Sequence, residues 1–277
     1  MAEIGERIRL PVLREVTAGL MLDGAELGEI LLPKGERRTE EQESVEVFLY
    51  RDSEDLPIAT EREPLVMPGT FGSLKVVASN NTGAFLEWGL AKDLLLPFRE
   101  QRSPPRVGDP VVVFVFLDPK SRRLVASQRI SRHFSEEMPS YQEGEEVDLL
   151  LFGKTEMGYK VIVDRKYSGL LFGNQVFEDL FYADRRKGYV MQVRNDRKID
   201  VSLQAPGQAK VENVEEILLR ELESRGGFWE INDKTSAEVI REELGVSKKV
   251  FKKATGALYR KRLIVFEGDG IRQSDDA

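Results

Sequence analysis

The chain has 277 residues, no cysteine and a single histidine, His133. Without cysteine it cannot form a disulfide, a thiolate nucleophile or a thiolate zinc site, and one histidine cannot build a histidine metal cluster. No apolar run approaches the roughly 20 residues that a membrane helix needs. Residues 1–6 lack the basic start and apolar core of a secretory signal. These absences favour a cytoplasmic protein that uses no cofactor and does not contact a membrane.

The net charge of −7 argues by itself against a nucleic-acid partner. The charge is unevenly distributed, however. Residues 1–63 carry 16 acids and 8 bases, whereas 99–133 carry 8 bases and 3 acids, and 247–262 carry 7 bases and no acid. The two basic segments are candidates for phosphate contact, with a solvated basic surface as the alternative for each.

An internal repeat gives the strongest indication of the fold. Two apolar residues, a glycine and a closing pair occupy equivalent places in three blocks: Leu10, Val12, Gly19, Leu32, Pro33; Leu74, Val76, Gly83, Leu96, Pro97; Leu149, Leu151, Gly158, Leu171, Phe172. The blocks are offset by 64 and then 75 residues. This unit is too long for one turn of a solenoid and suits a small all-β barrel.

The second block contains five predicted strands separated by Gly, Pro and Asp turns, at 71–77, 84–89, 94–97, 110–117 and 123–127. Five short strands with such turns are typical of an OB-fold barrel. On the second of these strands, Ala84, Leu86 and Trp88 share one face, while Phe85 and Glu87 share the other. The alternation therefore predicts that Trp88 lies in the core and that Phe85 faces solvent.

After 206–209 the apolar period changes from two to about 3.6, which indicates helices. A first helix ends near 225–227. The sequence 235–238 has the pattern of a capping box that opens a second helix, and Ser247 is a suitable N-cap for a third. The third helix is expected to turn five residues inward: Val250, Phe251, Ala254, Ala257 and Leu258. Strands at 263–266 and 271–272 complete a predicted winged helix.

The sequence thus predicts a mainly β protein with a small α/β end, in which three tandem OB-fold barrels precede a winged-helix domain. The predicted boundaries are 1–64, 68–133, 141–205 and 211–277.

The second block also resembles an S1 domain. The residues that carry the resemblance are Gly83-Ala84-Phe85-Leu86, the Leu pair of the third strand, Gly108-Asp109 before a long apolar strand, and the closing Ala126-Ser127. Three such blocks followed by a winged helix resemble the conserved virulence factor B family of bacteria. That resemblance implies S1-type barrels that bind single-stranded RNA and a role in controlling gene expression.

The S1 pattern implies contact residues on one face of each barrel. Carried over to this sequence, Phe85, Asp118 and Arg123 match the pattern in the second block, whereas Thr82 and Pro97 stand where a ring and a histidine are usual. In the third block the candidate contacts are Lys160 at the ring position, Phe172 at the histidine position and Lys198 at the basic position, so no block has the full set. The first block departs further, with Met21 and Leu56 at two of these places, and its acidic charge would repel phosphate. We therefore expect the first block to be a spacer or a protein contact.

The third helix of the predicted winged helix carries a dense set of cations, and we expect phosphate contact from Lys248, Lys249, Lys252, Lys253 and Arg260. Lysine is a point charge that suits phosphate better than base edges, so non-specific contact with RNA or DNA is expected. A solvated basic face or a protein-docking surface is the alternative.

The preferred function is a non-catalytic, monomeric, RNA-binding regulator that acts after transcription. Two alternatives remain: a winged-helix transcription regulator that binds DNA, and a protein adaptor at the translation or transcription machinery. An enzyme is not expected, because the repeats and the winged helix leave no room for a catalytic domain and no phosphate-cradling Gly motif is present.

Overall fold

Fifteen strands of the described chain form three closed barrels with one shared strand order. The computed structural model describes residues 2–38, 43–173, 176, 179–205 and 208–274, and leaves out the side chains of 208–213. The predicted linker residues Pro206 and Gly207 lie outside this range. In each barrel the order is first, second, third, fifth, fourth, with the third and fifth strands parallel in register. This is the expected OB-type arrangement.

The strands of the three barrels are as follows. Barrel 1 comprises β1 (Arg7–Val16), β2 (Gly19–Asp23), β3 (Glu29–Pro33), β4 (Ser44–Arg51) and β5 (Pro57–Thr60). Barrel 2 comprises β6 (Phe71–Ser79), β7 (Gly83–Glu87), β8 (Leu94–Pro97), β9 (Pro110–Leu117) and β10 (Leu124–Ser127). Barrel 3 comprises β11 (Glu146–Thr155), β12 (Gly158–Val163), β13 (Tyr167–Phe172), β14 (Arg185–Val193) and β15 (Ile199–Ser202).

The repeated glycines are required because the backbone of the third strand lies very close to the start of the second strand in each barrel. Gly19, Gly83 and Gly158 each open the second strand of a barrel opposite the end of the third. A Cβ atom at these positions would lie 2.0, 2.3 and 2.1 Å from a carbonyl oxygen of the third strand. Any side chain would therefore collide with backbone that cannot move away, which explains why the glycine recurs in all three blocks.

Barrels 1 and 2 pack through a shared apolar cluster. Phe48 and Tyr50 of β4 are buried among the core residues of barrel 2. The Phe48 ring meets Trp88 edge-on, with 5.7 Å between the ring centroids. The Trp88 indole N–H donates a 2.8 Å hydrogen bond to the carbonyl of Val66. Trp88 is 3% exposed, so its predicted place in the core is confirmed.

A second apolar cluster joins barrels 2 and 3. Phe71 of barrel 2 is buried with Leu150 and Ile162 of barrel 3. The ring of Phe134, in the connecting segment, lies 5.2 Å from Phe71 and 5.9 Å from Phe152 of β11. Because rings from the connecting segment fill the junction, the two barrels are held together by burial rather than by the peptide linker alone.

The C-terminal domain has three helices and a small sheet: α1 (Gln208–Ser224), β16 (Phe228–Trp229), α2 (Ala237–Leu244), α3 (Lys248–Arg260), β17 (Ile264–Glu267) and β18 (Gly270–Gln273). The sheet order is β16-β18-β17, and the β17–β18 hairpin is the wing. The two-residue strand β16 has too short a pattern to predict from the sequence.

The helix caps agree with the sequence apart from one position. Ser247 caps α3 as predicted, and its hydroxyl accepts from the Val250 N–H. The cap of α2 is Ser236 rather than Thr235, because the Thr235 hydroxyl accepts from the N–H of Asn232 instead.

The inward face of α3 is largely as predicted. Phe251, Ala254 and Leu258 are buried, and Val250 packs partly against the same core. Ala257 is only half-buried. Thr255, which was not predicted, is buried, and its hydroxyl donates 3.1 Å to the carbonyl of Phe251.

The chain divides into two compact units. The first consists of 1–141, 147–187 and 192–201, and the second of 142–146, 188–191 and 202–277. Among the described residues, no helix combines the length and the apolar character that crossing a membrane would require.

Candidate nucleic-acid interface

Asp118 lies at the start of the β9–β10 hairpin and is 5% exposed. Its carboxylate accepts hydrogen bonds from the hydroxyl (2.7 Å) and the N–H (3.1 Å) of Ser121, and it pairs with the Arg99 guanidinium at 2.9 Å. The Ser121 hydroxyl bond, followed by the other hydrogen bonds, lowers the pKa of Asp118 to about 2. The Asp118 side chain is therefore ionised and stabilises the hairpin. Its partner Arg99 is half-exposed, so the guanidinium rather than the carboxylate faces solvent.

Arg123 closes the same hairpin, and its guanidinium forms a two-point ion pair with Asp55 in the β4–β5 hairpin of barrel 1. Nearby, the Arg51 guanidinium donates to the carbonyl of Arg122 at 3.2 Å, and the Lys92 ammonium donates to the carbonyl of Arg51 at 3.1 Å. Asp55 of the acidic first barrel thus pairs with Arg123, the cation that the S1 pattern assigns to RNA. This contact was not predicted from the sequence.

Phe85 lies on β7 between two fully buried neighbours, Ala84 and Leu86, and is itself half-buried. The alternation predicted from the sequence is therefore confirmed. The ring is accessible enough to offer one face to a base, in the manner of OB folds that bind single strands.

Barrel 3 presents a cleft of about 500 Å³ on its strand face. Lys160 of β12 and Lys198, at the end of the β14–β15 hairpin, both line it, so the structure brings two predicted residues together. Both lysines are exposed to solvent. Lys198 forms an ion pair with Asp196 at 2.6 Å. Phe152 and Met157 supply the apolar part of the lining.

Arg194 is a member of this cleft that the sequence analysis missed. Its guanidinium pairs with Asp200 at 2.6 Å and lies over the ring of Phe172, 5.9 Å from the ring centroid. The predicted Phe172 does not line the cleft itself, but it contacts Arg194 through this cation–π interaction. In the hairpin of barrel 3 the Arg194 N–H donates to the carbonyl of Lys198, as the Asp118 N–H donates to the carbonyl of Arg123 in barrel 2. Arg194 therefore occupies the position that corresponds to Asp118.

The outer side of α3 carries the predicted cations of the winged helix. Lys249, Lys252, Lys253 and Arg260 are exposed and Lys248 is half-buried. Of these five cations, Lys252 is the one that forms an ion pair within the described residues: its ammonium lies 3.8 Å from the carboxylate of Asp233.

An exposed ring pair lies beside these cations and was missed in the sequence. Tyr259 of α3 is 53% exposed and Phe266 of the wing is 46% exposed, with 5.5 Å between their centroids. Tyr259 follows Lys252 by seven residues, so both lie on one side of the helix. Cations next to exposed rings are the combination that single-strand-binding surfaces use.

In the part of the chain that the structure describes, no group of three or more His, Asp or Glu side chains is placed to hold a metal ion.

Two family models match the chain. The S1 domain model matches residues 4–62 and 68–129, and the CvfB-like winged helix domain model matches residues 216–272. The chain belongs to the conserved virulence factor B family. Membership of this family agrees with the three barrels and the winged helix, and both matched domains are of nucleic-acid-binding types.

Relatives of this family align with nearly the whole chain. The protein YitL of Bacillus subtilis is 26% identical, and the alignment covers 92% of this chain and 89% of YitL. Conserved virulence factor B of Staphylococcus haemolyticus is 25% identical, with 89% and 86% covered. A solved Streptococcus pneumoniae structure, a multidomain protein with nucleic acid binding domains, is 22% identical with a TM-score of 0.43, covering 98% of each chain.

Proposed function

We propose that this protein binds single-stranded RNA, without catalysing a reaction on it, and regulates bacterial gene expression after transcription. The observation that carries the proposal is the cleft of barrel 3. There Lys160 lies with Lys198 and Arg194 around an apolar floor that contains Phe152. Lys198 and Arg194 are ion-paired with Asp196 and Asp200, so Lys160 is the cation of the three with no carboxylate partner among the described residues. Cations along a groove with rings in its floor match the way OB folds hold a strand whose bases are free to stack.

A single strand fits this surface better than a duplex. In a duplex the faces of the bases are covered by their neighbours, and the rings of a cleft cannot reach them. A single strand leaves both the phosphates and the base faces available to one cleft. Contact with single-stranded DNA follows from the same physics, and preference for RNA requires a contact to the 2′-hydroxyl.

The regulatory role rests on the family. Relatives are named conserved virulence factors, and the two matched families consist of binding domains. A monomer whose several weak sites engage one strand would gain overall affinity from their linkage. We infer that such a protein acts by occupying transcripts.

The exposed lysines of α3 also favour a second candidate, non-specific binding of duplex DNA by the winged helix. Their side chains suit phosphate in either nucleic acid. The experiment that decides between the two is a titration of the full chain with single-stranded RNA, single-stranded DNA and duplex DNA of equal length, at several stated salt concentrations.

The variant for this titration neutralises the cleft, Lys160→Gln with Lys198→Gln. The matched control removes the same charge from exposed lysines elsewhere, Lys34→Gln with Lys75→Gln. We expect the cleft variant to weaken RNA binding and to flatten the log–log salt slope by about 0.7 for the phosphate contact of Lys160, and by about 1.4 if a second phosphate displaces Asp196 from Lys198. Tight binding of duplex DNA with no binding of RNA would reverse the proposal.

A further inference from the structure

A groove larger than the barrel 3 cleft lies between barrels 2 and 3, with a volume of about 1120 Å³. Small-molecule sites usually have volumes of about 300–1,000 Å³, so this groove exceeds that range and suits a segment of polymer. Its walls come from the 101–105 and 128–132 segments of barrel 2 and from 152–154 of barrel 3. The apolar cluster at the barrel junction holds the two walls together.

The groove is strongly basic. Its lining includes five cations and one acid; the cations are Arg102, Arg129, Arg132, Lys154 and Lys160. The acid, Asp109, accepts a hydrogen bond from the Arg106 N–H. Within the described residues, none of the five cations has a carboxylate partner, in contrast with Arg123 and Lys198. A row of cations without counter-charges, between walls of low dielectric constant, attracts a polyanion.

One wall carries the most exposed large apolar side chain among those described, Phe181, which is 67% exposed. The turn that presents it is firmly anchored. The Phe181 N–H donates to Asp184, and the Ala183 N–H donates 2.9 Å to the carbonyl of Leu151. The Tyr182 hydroxyl accepts a 2.9 Å bond from the N–H of Val112, across the barrel junction. Ala183 has φ of 71°, a strained conformation for a residue with a side chain. A rigid turn that holds a bare ring beside cations is a stacking platform.

The groove continues into the cleft of barrel 3. Ser131, Phe152 and Lys160 line both. A strand held on the face of barrel 3 can therefore run directly into the groove, where its phosphates meet the arginines and a base meets Phe181.

We propose that this groove is a second binding segment for single-stranded RNA, with Phe181 as the base platform and Arg102, Arg129 and Arg132 as phosphate contacts. The inference rests on the proposed function. It places the contribution of barrel 2 at its junction with barrel 3, because Arg123 on its own S1-type face is engaged by barrel 1. RNA is favoured over an acidic protein segment because the groove combines cations with a bare ring.

The test uses fluorescence titrations of the full chain with oligouridines of about 4 and about 16 nucleotides, the ends of the range that one OB fold occupies. One variant is Phe181→Ala, and a second combines Arg102→Gln, Arg129→Gln and Arg132→Gln. A side chain as exposed as Phe181 can be truncated without loss of core packing. The control for it is Leu65→Ala, which removes a similarly exposed apolar side chain outside the groove.

For the longer oligonucleotide, we expect Phe181→Ala to weaken binding by about 5- to 150-fold. The triple variant should flatten the salt slope by about 2. For the shorter one, which the barrel 3 cleft can hold alone, both effects should be smaller. If Lys160→Gln with Lys198→Gln weakens binding while both groove variants bind like the unmodified protein, the groove proposal is wrong and the proposed function stands. If the unmodified protein binds no RNA, both are wrong. Unchanged RNA affinity with lost capture of an acidic peptide would also overturn the groove proposal.

Discussion

Arg123 of barrel 2 donates two hydrogen bonds to the carboxylate of Asp55 in barrel 1. A sequence comparison with S1 domains assigns this arginine to RNA, whereas the structure engages it in holding two barrels together. The acidic first barrel therefore has a structural role at barrel 2, and the free cations lie at the other end of that barrel, beside barrel 3.

Freeing Arg123 should strengthen RNA binding. In the Asp55→Asn variant the guanidinium loses its charged partner and can meet a phosphate, so the salt slope should steepen by about 0.7. Arg123→Gln alone should change the slope little, and Asp55→Asn with Arg123→Gln should abolish the gain. A loss of affinity in Arg123→Gln as large as that expected for a direct phosphate contact would contradict this account and support direct contact by Arg123.

The Asp55–Arg123 ion pair should make the free energy of unfolding depend on pH in the acid range. The guanidinium of Arg123 holds the pKa of Asp55 below its usual value. The stabilisation it gives is therefore fully present above the unfolded-state pKa and is lost as the pH falls through the lowered folded-state pKa. A comparison of the pH dependence of unfolding in the unmodified protein and in Asp55→Asn measures it, and identical acid limbs would contradict the expectation.

Phe85 is the predicted base platform on the strand face of barrel 2. If a base stacks on it, Phe85→Ala should weaken binding of a single strand by roughly 1–3 kcal/mol. A matched control is Val77→Ala, which shortens an exposed apolar side chain on the neighbouring strand β6. Equal affinities of Phe85→Ala and the control would remove Phe85 from the interface.

The cations of α3 should contribute to affinity through charge. Neutralising Lys248, Lys249, Lys252 and Lys253 to Gln should weaken binding and flatten the salt slope by about 2.8 if each contacts one phosphate of a single strand. The control is a variant that removes four exposed cations elsewhere: Lys34, Lys75, Arg220 and Arg241. An unaltered log–log salt plot would exclude α3 from the binding surface.

His133 offers a check on the junction of barrels 2 and 3. Its ring stacks on Phe114 with 4.3 Å between centroids, and burial lowers the pKa of the imidazole below its ordinary value of 6.5. The unfolded chain then binds a proton more readily than the folded chain, so the free energy of unfolding should fall as the pH drops below about 6.5. As the chain has no other histidine, an NMR titration of its ring protons gives the pKa directly. A value above 6.5 would contradict the packing described.

Much of the fold was predictable because the repeated positions are those that backbone geometry restricts. A glycine whose Cβ, if it had one, would lie 2.0–2.3 Å from a carbonyl oxygen recurs in each barrel. The alternation of apolar and polar residues correctly placed Trp88 in the core and Phe85 on the less buried face. The end of the second strand was placed two residues late. β7 stops at Glu87, and the backbone carbonyl of Trp88 accepts a 2.9 Å hydrogen bond from the N–H of Leu65, in the segment between barrels 1 and 2.

The candidate site was less predictable because its decisive contacts join distant parts of the chain. Asp55 and Arg123 are 68 residues apart in different barrels, and neither repeat alone indicates that they meet. Phe181 is an aromatic residue, a type that is usually buried, and it is exposed because it opens the 181–184 turn. This turn matches the 106–109 turn of barrel 2 in its hydrogen bonds and in the positive φ of Gly108 and Ala183. Barrel 2 has Arg106 at the position of Phe181, so the repeat predicts the turn but not the exposed ring. The basic segment 99–133 was identified from its charge, but its position facing barrel 3 depends on the aromatic cluster at the junction.

The most direct test of the central claim is photo-crosslinking of the full chain to a single-stranded RNA containing 4-thiouridine, with the crosslinked peptides identified by mass spectrometry. If RNA lies in the barrel 3 cleft and the adjoining groove, crosslinks will form in β12, in the 128–134 segment and in the 181–184 turn, together with peptides of α3. Crosslinks confined to barrel 1, or absent from both the barrel 3 cleft and the adjoining groove, would contradict it.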